Sequence, residues 1–269
     1  MTRDPSPTTS MFLAAVAAAA ACGGTEGGAG AVDAGPPDAV ATDANLDPFS
    51  FFVTSMQTMI DQSGNPQGFG GDLGGLAGAD TICQTAAAAV GFGHRTWRAF
   101  LSTANNGSPV HAIDRIGEGP WYDRNGRLIS MTRAGLLAGG PLNGDRPDGD
   151  AQAVDNMADE TGRPLKEYGD SHDILTGSNE SGQLLGTAGD VTCNDWTNAT
   201  TAVGDGGNES NSLGLGHAWS AMSGRNWIHV HQGHGCAPGI NLVQNGPGTG
   251  NTVGQGGGWG AIYCFALAL

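Results

Sequence analysis

Glycine is the feature of this sequence that most limits what the chain can fold into. It occupies 47 of the 269 positions, a share well above that of ordinary globular proteins. Because glycine loses more backbone entropy on folding than any other residue, glycine-rich segments are poor helix formers. The composition therefore predicts a loop-rich domain of short strands, in a chain long enough to bury one sizeable core.

Residues 1–22 have the pattern of an export signal. Arg3 precedes an apolar run at 11–21 that is too short to cross a bilayer as a helix and is typical of a signal-peptide core. The run ends in small residues directly before Cys22, which resembles a bacterial lipobox, where the cysteine is lipidated and begins the mature protein. We therefore predict export and lipidation of Cys22. The alternative is an ordinary signal peptide cleaved nearby, with no role for Cys22.

Residues 23–48 are predicted to form a flexible tether. The segment consists mainly of Gly, Ala, Asp, Pro, Thr and Val and has no aromatic residue. Such a segment cannot bury enough apolar surface to offset its chain entropy. Behind a lipidated cysteine, it would hold a folded domain of residues 49–269 away from a membrane.

The charge of the chain excludes some classes of partner. Lysine and arginine together number 11 against 26 acidic residues, which gives a net charge of −15. This charge repels phosphate backbones and anionic lipid headgroups. We therefore expect no nucleic-acid partner, and membrane contact through the lipid anchor only.

Cysteine usage predicts disulfide bonds. With Cys22 assigned to the anchor, four cysteines remain, namely Cys83, Cys193, Cys236 and Cys264. An even number in an exported chain predicts two disulfides, for which three connectivities are possible. The absence of a Cys-x-x-Cys pair argues against a structural zinc knuckle.

Hydrophobic patterns predict one main helix and several short strands. The helix is expected at 76–90, with Gly91 as its C-terminal stop. Asn125-Gly126 predicts the turn of a hairpin over 121–129. Residues 131–170 are acidic and rich in glycine and proline, and we expect a long loop there. The other predicted strands are 49–55, 96–102, 173–177, 191–196, 227–231 and 259–266.

Five segments, taken in chain order, carry a family pattern. They are Gly-Ala-Asp-Thr-Ile-Cys at 78–83 with the helix that follows, 93–102, Asn125-Gly126-Arg127, Gly177-Ser178 with 192–197, and Cys236 with Ile-Tyr-Cys at 262–264. Their order is similar to that of the endostatin domain, the C-terminal domain of collagens XV and XVIII and a variant of the C-type lectin fold. The chain also resembles the endostatin-like domains of bacterial exported lipoproteins.

The resemblance implies an α+β, C-type lectin-like fold with short antiparallel strands, one main helix and long loops. It also implies two nested disulfides, Cys83–Cys264 and Cys193–Cys236. Endostatin has a zinc site in a histidine-rich N-terminal segment. Residues 47–51 of this chain contain no histidine, so that site does not carry over.

Two groups of residues are candidates for metal binding. His229 and His231 would share one face of a strand, and His234 could turn back as a third zinc ligand, with His217 or Asp195 nearby. The structural alternative is a set of half-buried or surface histidines beside Cys236. The carboxylates of Asp145, Asp148 and Asp150 suit calcium, and the structural alternative there is a solvated acidic loop.

The sequence contains no Gly-x-Ser-x-Gly elbow, His-Glu-x-x-His motif, phosphate-binding loop or dinucleotide fingerprint. We therefore predict a non-catalytic cell-surface binding module on a lipid anchor, with no cofactor beyond a possible zinc or calcium ion. Its expected ligand is a surface protein or glycan, and its expected location is the outer surface, the extracellular space or the periplasm. The alternative is a metal-dependent enzyme that uses the segment from His229 to His234.

Overall fold

The computed structural model describes residues 47–143, 157–186, 189–200, 213–218, 226–243 and 250–268. Cys22, Asp145, Asp148 and Asp150 lie outside these ranges, so their predicted roles stay predictions. In the part of the chain that is described, no helix combines the length and the apolar character needed to cross a bilayer.

The described ranges combine a few helices with many short strands, which confirms the α+β class at this level. The helices are Met56–Ser63 (α1), Gly75–Ala89 (α2) and Arg133–Asn143 (α3). Short 3-10 turns lie at Asn105–Gly107, Ala112–Arg115, Leu165–Tyr168 and Gly189–Thr192. The strands are Phe51–Val53 (β1), Trp97–Ala99 (β2), Trp121–Tyr122 (β3), Leu128–Ser130 (β4), Asp173–Leu175 (β5), Gly214–His217 (β6), His231–Gln232 (β7) and Ala261–Ala266 (β8).

The last strand, β8, organises the main sheet. It pairs antiparallel with β1 and β2, so that Cys264 faces both Phe52 and Ala99. It also pairs in parallel with β5, with Ile174 opposite Ala261. Strand β6 pairs antiparallel with β5, and β7 pairs antiparallel with β6. The short strands β3 and β4 form a separate hairpin, as the Asn-Gly turn predicts.

Two disulfides fasten this framework, which confirms the prediction of disulfide bonding. Cys83 of α2 is bonded to Cys264 of β8, and Cys193 is bonded to Cys236. The connectivity is the nested one that the resemblance implies. Disulfides persist in oxidising compartments, which places the protein in an extracellular or periplasmic setting.

Aromatic residues around β8 supply most of the largest buried side chains of the core. Rings contributed by β1, β2, β3 and β8 pack in stacked and edge-to-face pairs, as between Phe51 and Phe265 and between Trp121 and Phe265. The tryptophans of the described chain are all nearly inaccessible to solvent, and each indole nitrogen donates a hydrogen bond to a backbone carbonyl. The tryptophans are therefore part of the core and do not form an exposed stacking surface.

The region predicted as a long loop, residues 131–170, contains the helix α3. Thr132 Oγ1 accepts a hydrogen bond from the backbone N–H of Gly135 in the first turn. Leu136 is fully buried, and its carbonyl accepts a hydrogen bond from the indole of Trp227. Tertiary packing therefore stabilises a helix in a glycine-containing segment whose sequence does not favour one.

The predicted strand at 191–196 is wrong. Residues from Cys193 to Trp196 form a tight turn in which four successive residues have φ between 49° and 65°. Asp195 accepts hydrogen bonds from the backbone N–H groups of Ala104 and Asn105, and the Cys193 disulfide anchors the start of the turn. These long-range contacts stabilise a left-handed conformation that non-glycine residues rarely adopt.

Candidate metal centre

Three neighbouring strands bring polar side chains together at one end of the sheet. Asp173 is the first residue of β5 and His172 directly precedes it, His217 ends β6, and His231 begins β7. The register places Asp173 opposite His217 and Leu215 opposite His231. Because residues two apart on a strand share a face, His231 lies diagonally across from His217 on the same face.

The side-chain atoms of these four residues converge on one point. Asp173 Oδ1 lies 3.3 Å from His172 Nε2, 3.4 Å from His217 Nε2 and 3.1 Å from His231 Nε2. The Nε2 atoms of His217 and His231 are 3.0 Å apart. All four ligand atoms lie within 4.8 Å of one another, so a single metal ion can reach each of them.

The spacing and the ligand types suit zinc. With bonds of about 2.0–2.2 Å, the ligand atoms of a tetrahedral zinc ion are about 3.3 Å apart. The three distances from Asp173 Oδ1 to imidazole nitrogens, and the distance between the His217 and His231 nitrogens, run from 3.0 to 3.4 Å. Imidazole and carboxylate are both zinc ligands, whereas calcium requires six to eight oxygens. Three imidazoles and one carboxylate therefore favour zinc over calcium.

The carboxylate of Asp173 is surrounded by imidazoles and lies at ion-pair distance from three of them. The side chain is completely buried, and neither oxygen makes a hydrogen bond of acceptable geometry with the described residues. A buried carboxylate without hydrogen bonds or a bound cation is costly. An ion held between Oδ1 and the three imidazole nitrogens would remove this cost.

Burial and the neighbouring groups shift the pKa values at the site. Burial raises the pKa of Asp173, but the attraction of the His217 and His231 imidazoles outweighs burial and leaves the pKa at about 2. Burial lowers the pKa of His217 below its ordinary value, although Asp173 opposes the shift. An ionised carboxylate and a neutral imidazole are the forms that bind a metal.

The cluster is only partly open to solvent. The side chain of Asp173 has no exposed surface, that of His217 is 9% exposed, that of His172 16% and that of His231 30%. Solvent therefore reaches the site from the β7 side. Because four protein ligands would fill the positions of a tetrahedral zinc ion, this arrangement has the closed coordination of a structural zinc site, although its ligands include no cysteine.

Of the histidines predicted as zinc ligands, the structure places only His231 in the cluster. The prediction assumed a strand through 227–231, but the chain turns before β7. Asn226 Oδ1 accepts hydrogen bonds from the backbone N–H groups of Ile228 and His229, which starts a tight turn and removes His229 from strand alternation. His234 is not part of the cluster either.

Of the two residues predicted to lie near these histidines, the structure places one in the cluster and one outside it. His217 belongs to the cluster, whereas Asp195 is held by the backbone of Ala104 and Asn105. The sequence analysis missed His172 and Asp173. The one sequence signal for them was a histidine-aspartate pair at the start of the predicted strand 173–177. The pairing of this strand with β6, which completes the site, cannot be predicted from the neighbouring sequence.

No family model and no curated protein sequence matches this chain. We therefore infer a function from the geometry of the site and the chemistry of its residues.

Proposed function

We propose that the protein is an exported, non-catalytic module that holds one zinc ion between His172, Asp173, His217 and His231. The observation that carries this proposal is the convergence of three imidazole nitrogens on the buried Asp173 carboxylate, which makes no hydrogen bond of standard geometry within the described chain. The ligands come from three adjacent strands. A bound ion would join β5, β6 and β7 at one end of the sheet.

The absence of a free coordination position supports the non-catalytic role. Catalytic zinc sites use three protein ligands and keep a fourth position for water or substrate. Here four protein ligands surround the same point. The alternative was a metal-dependent enzyme that uses the segment from His229 to His234, and only His231 of that segment lies in the cluster.

We also propose that the domain is a variant of the endostatin and C-type lectin fold, displayed on a lipid anchor at Cys22, and that it binds a surface protein or glycan. The nested disulfides, the position of α2 against β2 and the β3–β4 hairpin support this assignment. The resemblance to bacterial exported lipoproteins supports the anchor. The acidic charge favours a neutral or basic ligand surface.

Metal analysis of the full chain tests the zinc proposal. The protein is produced with its disulfides intact, stripped with a chelator, reloaded with zinc and dialysed. We expect about one zinc per chain, because four preorganised ligands bind the ion tightly. His217→Gln should abolish stoichiometric retention. The matched control His234→Gln removes a histidine outside the cluster and should retain zinc. A wild-type protein that retains no zinc, or equal retention by both variants, contradicts the proposal.

Fractionation of cells tests the anchor separately. Cys22→Ser should release the protein from the membrane fraction and remove acyl labelling, because the lipid is the expected membrane attachment. Membrane association that is unchanged by this substitution contradicts the lipoprotein assignment and leaves the zinc proposal untouched.

A further inference from the structure

A second buried carboxylate contacts the proposed zinc ligand His172 on the side of its ring that faces away from the cluster. The side chain of Asp170 is 2% exposed, and its Oδ1 lies 2.5 Å from Nδ1 of His172. The opposite ring nitrogen of His172, Nε2, faces Asp173 in the cluster. His172 therefore bridges two carboxylates, one at the proposed metal position and one outside it.

The charges of the two carboxylates match a divalent ion. Within the described chain, the ion-pair partners of Asp170 and Asp173 are imidazoles. A metal binds imidazole in its neutral form, so with an ion in place the two carboxylates would contribute two negative charges, which one zinc ion would balance. Because buried charges are costly unless they are compensated, this balance favours binding of a divalent cation over binding of a monovalent one.

We infer that Asp170 is a positioning residue of the zinc site, an inference that rests on the proposed function. Its carboxylate accepts the proton of His172 Nδ1, which fixes the tautomer whose Nε2 is free to bind the metal. The carboxylate also makes the imidazole a stronger donor to the ion. The outer ring nitrogen of His231 has a different partner from that of His172, because Nδ1 of His231 faces the neutral backbone carbonyl of Gln232 at 3.2 Å.

The surrounding backbone holds Asp170 in this position. The Asp170 N–H donates to the carbonyl of Leu242, and the Asp173 N–H donates to the carbonyl of Gly257. A Cβ at Gly257 would lie 2.6 Å from Asp170 Oδ2, and a Cβ at Gly256 would lie 2.2 Å from Asp173 Oδ2. The backbone of these two glycines therefore packs against both carboxylates at distances that a side chain would not allow.

Zinc affinity of Asp170 variants tests this role. The zinc Kd of the full chain is measured by competition with a chromophoric chelator for the wild type, Asp170→Asn and Asp170→Glu. We expect the asparagine variant to bind zinc about 10- to 100-fold more weakly, as for other lost outer-shell partners of metal ligands. Glutamate keeps the charge and the acceptor and should recover part of the affinity, because its extra methylene group must fit against Gly257. The matched control Asp61→Asn makes the same change at an exposed position on α1 and should leave the Kd unchanged.

The outcomes separate this inference from the proposed function. A wild-type chain that binds no zinc contradicts both. Tight binding by the wild type together with an unchanged Kd in Asp170→Asn overturns the role of Asp170 alone. If Asp170→Asn does not fold, nitrogen-15 NMR of the zinc-loaded wild type decides the question. A proton on His172 Nδ1 with Nε2 bound to zinc supports the inference, and zinc on Nδ1 overturns it.

Discussion

The two ends of the main sheet differ in the kinds of side chain that they bring together. Around β8, α2 and the strands β1 and β2 are joined by the Cys83–Cys264 disulfide and by an aromatic core. At the other end, β6 and β7 have four and two residues and carry His217 and His231. The first region is stabilised by a covalent bond and buried apolar surface, whereas the second adds to its buried apolar residues a carboxylate and three imidazoles that face a common point.

If the proposed zinc ion binds, a disulfide and a metal site would stabilise two different parts of this glycine-rich sheet. A disulfide acts mainly on the unfolded chain, by restricting its conformations. A metal site stabilises only the folded arrangement that assembles its ligands, so its binding free energy adds to the folding free energy. We expect the β8 region to be less sensitive to metal than the β6–β7 edge.

Removal of the disulfides should have the largest effect. The chain-entropy model gives about 5 kcal/mol for the bond that closes 181 residues and about 4 kcal/mol for the bond that closes 43. Denaturant unfolding of Cys83→Ala/Cys264→Ala and of Cys193→Ala/Cys236→Ala should show a greater loss of unfolding free energy in the first. A loss below about 1 kcal/mol in the first variant contradicts the importance of the covalent region.

Removal of zinc should have the next largest effect, and it should be local. At a free zinc concentration 1,000 times the Kd, binding adds about 4 kcal/mol to stability. Hydrogen exchange should report this at the N–H groups of Val230 and Gly233, which donate to Leu215 and Leu213 of the β6 segment. The N–H of Phe100, which donates to Tyr263 in the β8 region, is the internal control.

Chelation should therefore accelerate exchange more at Val230 and Gly233 than at Phe100, because zinc opposes every opening that separates its ligands and the β8 region can open without separating them. Equal acceleration at all three amides would show that the two regions unfold as one unit. No change at any amide would show that metal does not stabilise the β6–β7 edge.

Sequence predicted the elements that depend on local signals. The helix α2 follows from an alanine-rich run that ends before Gly91, and the β3–β4 hairpin follows from Asn125-Gly126. The proposed site depends on the order β5–β6–β7 and on a register that places Asp173 opposite His217. Such pairing joins residues far apart in sequence, and no local pattern specifies it. The two-residue spacing of His229 and His231 was misleading, because a turn at Asn226 interrupts the expected strand.

A substitution at Gly256 should have the smallest effect and should fall on the metal site alone. A Cβ at this position would press on Asp173 Oδ2 and approach His231 Cε1, which lies 3.7 Å away. Gly256→Ala should weaken zinc binding by about tenfold, or about 1.4 kcal/mol, as measured by chelator competition. Gly186→Ala is the matched control, because a Cβ there meets no atom within 4 Å. Unchanged zinc affinity in Gly256→Ala would contradict the packing of this glycine on the ligand carboxylate.

X-ray absorption at the zinc edge of the zinc-loaded full chain tests the central claim most directly, because it reports the ligands themselves. The account predicts four nitrogen or oxygen ligands at about 2.0–2.2 Å, with outer-shell scattering from three imidazoles and no sulfur at about 2.3 Å. A shell of six oxygens without imidazole scattering, or a sulfur ligand, would contradict the assignment of His172, Asp173, His217 and His231 as the metal site.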